Sequence, residues 1–202
     1  MPLPALSADP AALAAGLALS LSAAATLATP VVITEATTIG PLDTEIVTPD
    51  GTIVPLSEAE ITVVGTTLTI NGRHGIMSLA ISTGAVVTHD ANFVFDYSMG
   101  AGADVVRGFD LAVAGDVFVG GSMSVTGRGF PGDQGPGAGS LDQNAGGGGG
   151  HGGEGGNSNA GAAGGITYGS VLRPVEFGSG GGTDIGGVEM GREGGGAIRL
   201  IV

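Results

Sequence analysis

Apolar residues along this chain fall into three regimes. From Ala11 to Ala28 they form an almost unbroken stretch of alanine and leucine. From Val31 to about Val125 they come in short runs separated by turn residues. Beyond Gly127 they thin out among glycines, and they gather again in the run Ala197–Val202.

The middle regime predicts β-structure. Val31–Ile33, Glu60–Val64, Thr67–Ile70, Ser78–Ser82, Ala85–Thr88, Phe93–Phe95, Asp110–Val113, Asp116–Val119 and Ser122–Val125 are short, and most alternate apolar with small or polar residues. Between them stand Val64-Gly65, Asn71-Gly72, Thr83-Gly84, Ala114-Gly115 and Gly120-Gly121. Strands this short, with turns this close, read as an all-β chain. Thr, Ser and Ala recur on the outward positions. The expected architecture is therefore a parallel β-solenoid, in which each coil buries Val, Ile, Leu or Phe against its neighbours. A β-sandwich of immunoglobulin type is the alternative, although the tryptophan and cysteine pair that mark such domains are missing.

The expected division is 1–30 as an apolar opening segment, 31–126 as solenoid rungs, 127–196 as a glycine-rich flap and 197–202 as a returning strand. Three readings of residues 1–30 stay open. The Ala11–Ala28 stretch, with small residues near Ala23-Ala24-Ala25, resembles a secretory signal, but no Lys or Arg precedes it and Asp9 sits where positive charge belongs. Ser7-Ala8-Asp9-Pro10 would start a linker helix. A membrane span is the third, weakened by the modest hydrophobicity of Ala, Ser and Gly.

In the flap, 29 of 70 residues are glycine, and composition alone would make it a disordered linker. Three features oppose that. From Gly146 the sequence reads in triplets led by glycine, the period of an extended polyproline-type helix whose glycine edge lets backbones approach. Tyr168–Gly178 contains a tyrosine, a phenylalanine, a proline and charges, which flexible linkers rarely carry. The chain then returns to strand character at Ala197.

Several pieces occur in a recognisable order. They are Thr67–Gly72, His74, Ser78-Leu79, Gly84–His89, Leu111–Val117, Ser124–Phe130, Gly135-Pro136-Gly137, Gly178–Gly182 and Gly194–Leu200. This order, from Val31 to Val202, resembles the glycine-rich parallel β-helix modules of very large bacterial surface and secreted proteins. The resemblance implies a right-handed parallel β-helix and an extracellular or cell-surface location, and it transfers no catalytic residues. The chain departs from such proteins in being short.

Charge narrows the partners. Against 19 acids stand six basic residues, all arginine, for a net charge of −13. Six scattered arginines build no basic face, so nucleic acid is not an expected partner, and an anionic membrane is disfavoured by the same reasoning. With no cysteine there are no disulfides or thiolate metal sites.

Candidate chemistry is sparse. Gly127-Arg128-Gly129-Phe130-Pro131-Gly132 matches GxGxxG, but Pro131 and further glycines follow where a dinucleotide site needs a helix. His151 and Glu154 are spaced HxxE without a helix to align them as metal ligands. His74 and His89 flank short strands. Asp104, Asp110, Asp116, Asp133, Asp142 and Asp184 are spread out. Calcium is compatible with them outside the cell, yet no dense Asp loop is present, so no cofactor is expected. A hydrolytic β-helix would need two facing carboxylates, with Asp110 and Asp116 on offer. A lyase would need a cationic base, and only Arg107 or Arg128 is at hand.

The resulting expectation is a non-enzymatic extracellular structural or adhesive protein. It would associate head to tail with copies of itself into a fibre or surface layer, with surface polysaccharide as a further partner. Exposed strand edges invite such pairing, and the residues concerned are Val31, Val32 and Ile33 at one end and Ala197, Ile198, Leu200 and Val202 at the other. The alternatives are a carbohydrate-active or carbohydrate-binding β-helix and an ice-binding face, for which Thr62, Thr67 and Thr69 give the only hint.

Overall fold

A computed structural model describes residues 27–98, 104–170, 172, 175–184, 186 and 189–202. The 1–26 part of the opening segment, with its three readings, lies outside the described residues. Among these residues the chain is all-β, its helix content limited to a 3₁₀ turn at Leu56–Glu58.

Three parallel sheets carry the architecture. The first contains β1 (Thr29–Ile33), β5 (Ala59–Val63), β8 (Ser78–Ile81) and β13 (Val117–Val119), in that spatial order. The second contains β2 (Thr37–Ile39), β6 (Thr67–Ile70), β9 (Val86–Thr88) and β14 (Ser122–Met123), also in chain order. The third contains β7 (Gly72–Ile76), β12 (Phe109–Val113) and β15 (Ile198–Ile201). After a first pass through β1 and β2 alone, the chain visits first, second and third sheet in turn, each pass one strand further along. Two antiparallel pairs interrupt this order: β3 (Glu45–Val47) with β4 (Ile53–Pro55), and β10 (Val94–Asp96) with β11 (Val105–Arg107).

Register explains the core. Because side chains alternate across a strand, parallel pairing in register stacks like on like. Val31, Ile61, Leu79 and Val117 form one column of facing partners. Leu68, Val87 and Met123 form another, and His74, Leu111 and Leu200 a third. Ile61, Leu68, Leu79, Ile81, Val87 and Leu111 are almost wholly buried. Outward positions on β5 and β6 hold Glu60, Thr62, Thr67 and Thr69, all half-buried, as the alternation predicts.

Four strand regions escaped the pattern. β7 reads Gly-Arg-His-Gly-Ile, which looks like the continuation of the Asn71-Gly72 turn, yet it pairs along its full length with β12. β2, the β3–β4 hairpin and β11 were likewise not apparent from short apolar runs.

The glycine-rich region leaves the second sheet after β14 and rejoins the third at β15. Among the described residues it holds no strand, only an isolated bridge between Asp142 and Asp184. It is nevertheless knitted by backbone hydrogen bonds between distant segments. Around the run Gly146–Gly150, Gly147 N–H donates to Ser140 O (2.9 Å), Gly148 N–H to Gly156 O (2.8 Å) and Gly150 N–H to Gly137 O (2.8 Å). Gly182 N–H donates to Gly147 O and Gly165 N–H to Gly148 O, both at 2.8 Å. Neighbouring backbones press in so closely that methyl groups at Gly146, Gly147, Gly149 or Gly150 would overlap the carbonyls of Gly182, Ala163, Ser179 or Ile166. Elsewhere the same crowding recurs every third residue, at Gly129 and Gly132 and at Gly191 and Gly194.

Candidate functional site

The ends of the strand stack differ. At the front, the inward side chains Val31 and Ile33 of β1 are buried (1% and 4% exposed), because Ile46, Val54 and Leu56 from the β3–β4 hairpin and its exit turn join the same core cluster. At the back, the inward-facing residues of the last pass are open. Val119 faces buried Ile81 but is itself 49% exposed, and Leu200 faces buried Leu111 yet is 36% exposed. Val117, Met123 and Ile198 are only partly covered, Phe118 and Ile201 add outward apolar surface, and Val202 is exposed. Of the sequence-chosen end residues, Val31 and Ile33 are thus core, Val32 is exposed, Ala197 is buried, Ile198 is half-buried, and Leu200 and Val202 are exposed.

A second feature is a charged cleft of about 130 Å³ over the third sheet, lined among others by Arg73, Asp104, Arg107, Asp110 and Arg199. Its geometry follows from register: Arg73 on β7, Asp110 on β12 and Arg199 on β15 are facing partners. Asp110, its side chain 9% exposed, accepts from Arg73 Nε at 3.2 Å and from Arg199 Nη1 at 2.9 Å. Asp104, beside β11, takes both terminal nitrogens of Arg73 at 3.0 and 2.8 Å, a bidentate pair. These bonds raise the Arg73 pKa still further above its ordinary value, the Asp104 hydrogen bonds contributing most, and hold the Asp104 carboxyl below the usual carboxylate range. Arg107 pairs with Glu176 at 3.1 Å. The Arg73 guanidinium lies 5.2 Å from the centre of the Tyr97 ring.

The third feature is the junction where the glycine-rich region rejoins the sheets. His89 is fully buried, stacked on Phe177 at 5.7 Å and edge-on to Phe109. Its Nδ1 lies 2.7 Å from Asp90 O and therefore carries the proton, while Nε2 accepts the Ala197 N–H at 3.2 Å. Burial lowers its pKa; the nearby Arg128 charge acts the same way, while the Asp90 carbonyl and charge oppose it.

No family model, no curated protein and no solved structure matches this chain. The site is therefore read from its own geometry.

The remaining candidates are scattered. Gly127–Gly132 leads into turns with no helix behind it. His151 packs edge-on against Tyr168, its Nε2 buried and without a hydrogen-bond partner. His74 Nε2 contacts Asn71 O at 2.9 Å. Among the described residues no three His, Asp or Glu side chains converge as a metal site requires. Asp133 is held by Thr183, and Asp142 accepts from Asn144 N–H. Asp110, offered as one of two catalytic acids, is engaged by two arginines. Thr38, Thr69 and Thr88 face one another as a single column, with Thr88 buried; this is one ladder rather than a flat threonine face. Sequence reasoning missed Arg73 and Arg199, because their meeting depends on strand register across 126 positions of chain.

Proposed function

We propose that this chain is a non-enzymatic structural and adhesive module of an extracellular surface, a parallel β-solenoid carrying a bundle of polyglycine-type extended helices and associating with copies of itself through the back end of its coil. The observation that carries the reading is the asymmetry of the two ends. Inward side chains of the last pass, Val119 and Leu200 above all, are exposed beside the strand edges of β13, β14 and β15. Open strand edges with apolar residues are templates for pairing. A head-to-tail fibre would need the β3–β4 hairpin, which covers the front core, to move aside. Back-to-back pairs need no such movement, and a two-fold interface uses one self-complementary patch.

The solenoid reading rests on the repeated visiting order of the three parallel sheets. The bundle reading rests on glycines crowded against neighbouring backbones, at a spacing of three in Gly129 and Gly132 and in Gly191 and Gly194, and on hydrogen bonds running to several neighbours at once. A lysine-free surface of high negative charge favours solubility and suits a module displayed outside the cell. Negative-stain electron microscopy over a concentration series tests the proposal. Rods joined end to end, as pairs or longer, support it; single particles at every concentration overturn it.

A further inference from the structure

We infer that the cleft over the third sheet is a binding site for one unit of a neutral saccharide. The cleft shares β15 with the coil end, but its test reads saccharide binding rather than association, so the two proposals stand or fall separately.

The cleft has two kinds of wall. Its apolar surface comes from half-buried Val105, Val175 and Ile198, set over the buried Phe109, Val106 and Ala197. Its rim alternates guanidinium donors with carboxylate acceptors: Arg199, Asp110, Arg73, Asp104 and, on the other side, Arg107. A pyranose ring has the matching form. One of its faces is made of C–H groups, and its edge carries hydroxyls that both donate and accept. Apolar concavity with a few placed polar groups is the general form of a small-molecule site, and a volume of about 130 Å³ suits a single ring-sized group rather than a long ligand.

Charge selects the class. Three of the six arginines in a chain of net charge −13 meet here, yet each is matched by a carboxylate: Asp104, Asp110 or Glu176. The rim is therefore locally neutral. An anionic ligand would have to displace a carboxylate already in place, and a cation would meet the guanidinium groups. A neutral polyhydroxy ligand can add to the network without breaking it. Donors remain for it, because a guanidinium offers five N–H groups and Arg199 reaches Asp110 through Nη1 alone. Arg73, Asp104 and Arg199 are each a little under half exposed, so the rim is accessible.

Affinity electrophoresis of the whole chain through gels containing dextran, mannan or galactan, with alginate as an anionic control, tests this. At least one neutral polysaccharide should retard the chain, equally at about 0.05 and 0.5 M NaCl, because hydrogen bonding to a neutral ligand escapes salt screening. Arg199→Gln and Arg107→Gln should each weaken retardation about tenfold, while Arg192→Gln, outside the cleft, should not. Should a cleft variant fail to fold, the native chain still decides: titrating the oligosaccharide of the retarding polymer should move the Nε–H resonances of Arg73, Arg107 and Arg199. Failure of all three neutral polymers overturns the inference. So does stronger, salt-sensitive retention by alginate, undiminished binding by the folded cleft variants, or unmoved arginine resonances.

Discussion

The His89 ring is held on both nitrogens, and two of its partners are distant in sequence: Ala197 lies 108 positions away, and Phe177 supplies the stacking ring. In its neutral form Nε2 is a lone-pair acceptor; a proton there would set two N–H groups against each other at the junction. Because burial lowers the folded-state pKa below the ordinary value of 6.5, the unfolded chain takes up the proton first as the pH falls. The stability that His89 contributes is thus complete above about pH 6.5 and is lost as the pH drops from there through the folded pKa. Thermal melts between pH 8 and 5 should show a decline that His89→Gln flattens; an identical slope in the variant would contradict the assignment. In the sequence His89 is visible only as a turn residue after a strand, since nothing local marks partners so remote.

At the level of elements, strands with plain apolar alternation were legible, such as Thr67-Leu68-Thr69-Ile70. β7 was not, because Gly72 and Gly75 read as turn residues and His74 as polar, although Gly72, His74 and Ile76 all point inward. Its strand state comes from pairing with β12, a tertiary effect that overrides local propensity. Glycine-led triplets were legible from Gly146 onward, but crowding does not follow them: in the run Gly146–Gly150 it falls on nearly every residue, while Gly152 and Gly161 have open space. Gly147→Ala should destabilise the chain by about 1–3 kcal/mol, the usual range for overpacking. Gly153→Ala, with open space around its position, should be neutral or stabilising by about 0.5 kcal/mol. Denaturant unfolding of the two variants checks the contrast. At the front end, Leu56→Ala removes a core side chain supplied by the hairpin's exit turn and should cost about 2–4 kcal/mol by the same measurement.

For the whole molecule, the sequence offered both ends, Val31–Ile33 and Ala197–Val202, as edges for pairing. Val31 and Ile33 look like an open edge until the hairpin between β2 and β5 is seen to supply Ile46 and Val54 over them. The back end has no comparable cover among the described residues, and its apolar residues point where a further pass of strands would lie. A charge at that place should disfavour association while leaving the fold intact, because Leu200 and Val119 are already partly in water. The charged cleft belongs to this scale as well, since β7, β11, β12 and β15 all contribute to it. Sedimentation velocity of the native chain and of Leu200→Asp, over about a hundredfold range of concentration, tests self-association through the back end most directly. The native chain is predicted to move from monomer to larger species as concentration rises, and Leu200→Asp to remain monomeric with unchanged far-UV circular dichroism. A native chain that stays monomeric throughout, or a folded Leu200→Asp variant that associates equally well, would contradict it.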